Sequence, residues 1–72
     1  GGRAMNEDTL NMQVRTFLKK VGVTSQREIE KAVRDAVDQG RLNGDETLTA
    51  RVKLTVDGVD LDVDIDGSIE LE

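Results

Sequence analysis

The sequence predicts an α+β fold: two N-terminal helices packed on one face of a three-stranded antiparallel β-meander. Three observations predict it. Apolar residues recur at helical spacing twice, over Leu10–Val21 and over Ile29–Val37. The period then changes to two, most sharply in Val59-Asp60-Leu61-Asp62-Val63-Asp64-Ile65-Asp66, where every odd position is aliphatic and every even one is aspartate. Finally, Asp57-Gly58 and Asp66-Gly67 punctuate the alternating half with turn-forming pairs.

Asn6 suits the N-cap of the first helix, with Glu7 and Asp8 in the turn where the helix dipole favours negative charge. Leu10, Val14, Phe17, Leu18 and Val21 form one stripe, and Met12 lies on the opposite face. Lys19 and Lys20 fall in the expected last turn, and Gly22 suits a left-handed terminating residue. A second helix is expected to open at Ser25 through a capping box with Glu28. Its stripe is Ile29, Ala32, Val33, Ala36 and Val37, and Gly40 ends it.

In the second half Leu48, Ala50, Val52, Leu54 and Val56 alternate with Thr49, Arg51, Lys53 and Thr55. A two-residue turn at Asp57-Gly58 sets Val56 against Val59, Leu54 against Leu61, Val52 against Val63 and Ala50 against Ile65. On the other face it sets Lys53 against Asp62 and Arg51 against Asp64. A three-residue Asp66-Gly67-Ser68 loop then returns a third strand, pairing Ile65 with Ile69 and Val63 with Leu71. That arrangement leaves Asp64 beside Glu70, a like-charge neighbour.

The chain has 72 residues, and Gly1-Gly2-Arg3-Ala4 reads as a cloning remnant before a single small domain at residues 5–72. There is no cysteine, histidine, tryptophan or tyrosine, and Phe17 is the one aromatic residue. Disulfides and thiolate metal sites are therefore excluded. No apolar run approaches the roughly 20 residues of a membrane span, so a cytoplasmic protein without membrane contact is expected. Net charge is −5 and uneven. Met5–Gly44 carries seven basic and six acidic residues, whereas Asp45–Glu72 carries only Arg51 and Lys53 against nine acids. So acidic a sheet argues against contact with nucleic acid or an anionic membrane through that half.

Four chemistries compete for these residues. Asp62-x-Asp64-x-Asp66-Gly67 matches the opening of a calcium loop. The twelfth-position glutamate is missing, and Val63 and Ile65 are needed in the core, so weak calcium binding is the most this tract supports. Enzymatic acid–base work requires a pocket and a perturbed carboxyl. The acids here lie on a flat face without a histidine or cysteine partner, so no enzyme, small-molecule substrate or cofactor is expected. Winged-helix-like nucleic-acid binding is the alternative, with Arg27, Lys31 and Arg34 sharing a face of the second helix. Local ion pairs with Glu28, Glu30 and Asp35 account for the same residues. The favoured reading is a protein-interaction module, self-associating or binding an unknown protein partner. Its surface is the acidic face of Asp60, Asp62, Asp64, Asp66 and Glu70.

The tracts Met5-Asn-Glu-Asp-Thr-Leu-Asn-Met-Gln-Val-Arg, Phe17-Leu-Lys-Lys-Val-Gly-Val-Thr-Ser-Gln-Arg-Glu-Ile-Glu and Gly44-Asp-Glu-Thr-Leu resemble a family of short bacterial proteins known only as a domain of unknown function. The resemblance covers Met5 to Glu72. It implies a bacterial cytosolic origin and brings no catalytic or binding residues with it.

Overall fold

The computed structural model describes residues 5–72, so the expected cloning remnant lies outside the described residues. The order of elements is one helix, α1 (Glu7–Asp38), then strands β1 (Thr47–Thr55) and β2 (Asp62–Glu70), paired antiparallel in a two-stranded sheet. This corrects the expectation of two helices on a three-stranded meander. The chain divides into two units, the first ending at Asp35 and the second running Ala36–Glu72.

Both ends of α1 form as the sequence specifies. The Asn6 side-chain oxygen accepts the Thr9 N–H at 3.0 Å, and the Asn6 carbonyl accepts the Leu10 N–H at 3.0 Å. Glu7 and Asp8 occupy the first turn. At the far end Arg41 N–H donates to the Ala36 carbonyl at 2.9 Å and Gly40 N–H to Val37 at 3.0 Å. Gly40 sits at φ +78°. This crossed pair with a left-handed glycine is a Schellman closure.

The expected break at Gly22 does not occur, and Ser25 sits in the helix interior rather than at a cap. Energetics favour continuity. Glycine inside a helix costs about 1 kcal/mol relative to alanine, and the β-branched Val21, Val23 and Thr24 add tenths each. Stopping and restarting would instead leave four carbonyls and four N–H groups without helical partners. The chain has no proline to force that break. The apolar pattern also keeps phase across the junction. Leu10, Val21 and Ala32 recur at 11-residue spacing, as do Val14, Ser25 and Ala36, and Leu18 with Ile29. An 11-residue repeat corresponds to about 3.67 residues per turn, so these positions stay on one face of a nearly straight helix.

The hairpin keeps its predicted faces but not its register. Leu48 pairs with Ile69, Val52 with Ile65 and Leu54 with Val63 on the apolar side, with Ala50 opposite Gly67. Arg51 faces Asp66, Lys53 faces Asp64 and Thr55 faces Asp62 on the polar side. The pairing is thus displaced by two residues from the expected one (Leu54 with Leu61), a shift that leaves every side chain on its own face. Six residues, 56–61, join the strands in place of a two-residue turn, with Gly58 at φ +90°. Lengthening the loop from two to six residues costs about 1 kcal/mol in closure entropy. Because Asp66-Gly67 does not turn, β2 runs on to Glu70 and gains pairs worth about 0.2–1 kcal/mol each. Ile69 therefore extends β2 rather than opening a third strand, and Asp64 and Glu70 lie along the same strand instead of facing each other.

Candidate interaction surfaces

No side chain among the described residues is buried, so the positions expected to form a core are instead surface. On α1, Leu10, Val14, Phe17, Leu18 and Ile29 are all exposed, Phe17 by 52% and Leu18 by 48%. Val21, Ser25, Val33 and Ala36 are half-buried. On the hairpin's apolar face Val52, Val63 and Ile65 are exposed, while Leu48, Ala50, Leu54 and Ile69 are half-buried. These faces were legible in the sequence as stripes. Their exposure was not, because apolar periodicity reports which face is dry without reporting what covers it.

The acidic residues take two settings. Asp62, Asp64, Asp66 and Glu70 lie in β2 and share its polar face, whereas Asp60 lies in the connection before it. Two of the four are paired with cations. Lys53 Nζ reaches Asp62 Oδ1 at 2.8 Å, diagonally across the ladder. Arg51 Nε reaches Asp66 Oδ1 at 3.3 Å. The expected Lys53–Asp62 contact therefore forms, while Arg51 meets Asp66 instead of Asp64. All four partner side chains are mostly exposed, so each pair contributes at most about 1 kcal/mol. No group of three carboxylates placed to hold a metal ion occurs among the described residues.

Arg27, Lys31 and Arg34 fall at i, i+4 and i+7 of α1 and share a face. Arg34 Nη2 approaches Glu30 Oε1 at 3.9 Å, and Gln26 Nε2 donates to Glu30 Oε2 at 3.2 Å. The turn between two helices that a winged-helix reader requires is absent from α1.

One residue passed over in the sequence is tightly engaged. The Glu46 carboxylate accepts the Asn43 N–H at 2.9 and 3.1 Å and the Gly44 N–H at 2.9 Å. Asn43 N–H and then Gly44 N–H hold its pKa below the ordinary carboxylate value, outweighing partial desolvation. Gly44 adopts φ +103°, which turns its amide toward the carboxylate. The signal was an Asn-Gly pair two residues before a glutamate. This clamp sets the entry into β1.

No described helix is long and apolar enough to cross a membrane. The family of unknown function DUF6494 matches residues 5–72, nearly the whole chain, so the chain belongs to that family. No curated protein and no solved structure matches it.

Proposed function

We propose that this chain is a non-enzymatic protein-interaction module whose apolar faces are completed by another protein surface. One observation carries the reading: among the described residues no apolar side chain is buried, although the hairpin strands segregate their apolar residues onto one face and the helix gathers most of its own into one stripe. Burying a leucine or phenylalanine stabilises by about 1.5–3 kcal/mol. Phe17, Leu18, Val52 and Ile65 leave about half of that gain unrealised. Folded domains hold together by only about 5–15 kcal/mol, so the gain from covering this set is a sizeable fraction of such a margin. The polar face of β2, with Asp62, Asp64, Asp66 and Glu70, supplies orientation and faster encounter with a partner carrying basic groups.

The test is site-specific photo-crosslinking in the native host at natural abundance. A photoreactive residue at Leu18 is expected to give a discrete protein adduct, whereas the same residue at Arg27, on the far side of α1, is expected to give none. Loss of the adduct in a Phe17→Asp background would tie it to the stripe. Absence of any protein adduct from Leu18 overturns the reading.

A further inference from the structure

We propose that Asn43 is a latent self-modification site, at which the Gly44 backbone nitrogen displaces ammonia from the Asn43 side-chain amide, and that the Glu46 carboxylate is the positioning group that holds the site inert. This goes beyond the interaction reading and does not depend on it.

The chemistry needs two adjacent residues and water. The Gly44 nitrogen gives up its proton to hydroxide and attacks the side-chain carbonyl carbon of Asn43, Cγ. A C–N bond forms there and the bond from Cγ to the side-chain nitrogen breaks. That nitrogen takes a proton from water and leaves as ammonia. Water then opens the cyclic imide at either carbonyl, giving aspartate or the isomer whose main chain runs through Cγ. Of the three asparagines, Asn6 precedes Glu7 and Asn11 precedes Met12. Asn43 alone precedes glycine, where no Cβ shields the attacking nitrogen. It is exposed and lies between α1 and β1, so neither a helix nor a ladder restrains it.

The Glu46 clamp opposes each stage of the attack. The Gly44 N–H donates to Glu46 Oε1 at 2.9 Å, and the Asn43 N–H donates to the two carboxylate oxygens at 3.1 and 2.9 Å. The Gly44 bond must break before its nitrogen can lose a proton. The nitrogen so formed would be an anion beside a carboxylate, and like charges this close disfavour it. Two successive amides on one carboxylate, with Gly44 at φ +103°, also restrain the main-chain rotation at Asn43 that ring closure requires. Reaction undoes the clamp. One product carries a new carboxylate in the same turn, and the other adds a main-chain carbon ahead of Gly44. Either change disturbs the paired amides that set the entry into β1.

The test uses the purified full chain held at mildly alkaline pH. Conversion of Asn43 is followed by peptide mass spectrometry with detection of the isomer. Hydrogen exchange at the Gly44 amide is measured in parallel, because it passes through the same nitrogen anion. Glu46→Gln is expected to speed both about tenfold, and Glu46→Ala by more. Asn6, Asn11 and the amide chemical shifts of Val52 and Leu54 are expected to stay unchanged. An unmodified sequence that converts Asn43 as fast as the Glu46→Ala chain overturns the protective role. Absence of conversion at Asn43 in all three chains overturns the site itself. Shifted Val52 and Leu54 amides in Glu46→Gln also count against the proposal, since loss of the hairpin rather than of the clamp would then account for the faster reaction.

Discussion

Helix and hairpin share one feature, an apolar face on which no side chain is buried, but they hold their shape by different means. In α1 every backbone bond is made to a residue four positions away, so 32 residues suffice for the element to persist on local interactions. The hairpin depends on pairs between residues up to 23 apart in sequence, as between Thr47 and Glu70. A lone two-stranded hairpin is marginal in water. The comparison teaches that covering these faces matters unequally. The helix gains specificity from a partner, whereas the hairpin needs covering to persist.

The largest expected effect breaks the helical side. Gly22→Pro removes one helix bond and drives a ring into the preceding turn, at a cost of about 3 kcal/mol or more. Far-ultraviolet circular dichroism should show a large loss of helix. Unchanged helicity would mean that α1 is already interrupted at this point.

Gly22→Ala gives a sharper result because its sign separates two structures. In a continuous helix it should stabilise by about 1 kcal/mol. A Cβ at Gly22 meets nothing within 4 Å, so no clash offsets the gain. Were Gly22 the left-handed end of a shorter helix, alanine would destabilise by a comparable amount. A thermal melt followed by circular dichroism decides between them.

Gly67→Thr is the matching substitution in the hairpin. Gly67 lies within β2 opposite Ala50, its φ is not positive, and a Cβ there also meets nothing within 4 Å. Threonine is expected to stabilise the ladder by about 0.5–1 kcal/mol. A destabilised hairpin would restore the turn at Asp66-Gly67-Ser68 in place of the long strand.

These two glycines also mark where the sequence misleads. The chain ends of α1 were legible because Asn6 and Gly40 carry a cap and a Schellman closure that local chemistry specifies. Gly22 and Gly67 have the same appearance in sequence, yet no left-handed backbone is present at either. What separates Gly40 from Gly22 is phase. The stripe from Val14 through Leu18 and Val21 to Ile29 runs on past Gly22 unshifted, and a true helix end has no reason to preserve it. In the hairpin, the facing of every residue was legible because side-chain direction alternates strictly. Register was not, since a two-residue slip preserves both faces and the choice falls to pair energies of tenths of a kcal/mol. The acidic surface was legible as a face, but not its partial neutralisation by Arg51 and Lys53.

The smallest effect tests the turn that leads into β1. Glu46 clamps the Asn43 and Gly44 amides, and those bonds favour its charged form. Its folded pKa therefore lies below its unfolded value, so the clamp contributes fully above about pH 4.3 and is lost as pH falls through the depressed value. The Asn43 and Gly44 amide resonances should titrate together, with a midpoint below the ordinary glutamate value. Glu46→Gln keeps one acceptor oxygen but removes the charge, so it should abolish that titration and weaken the entry into β1 only slightly. Amides that titrate at the ordinary glutamate value would mean the clamp is not formed in solution. The start of β1 would then be free to slip, and with it the register that separates Arg51–Asp66 from the alternative two residues away.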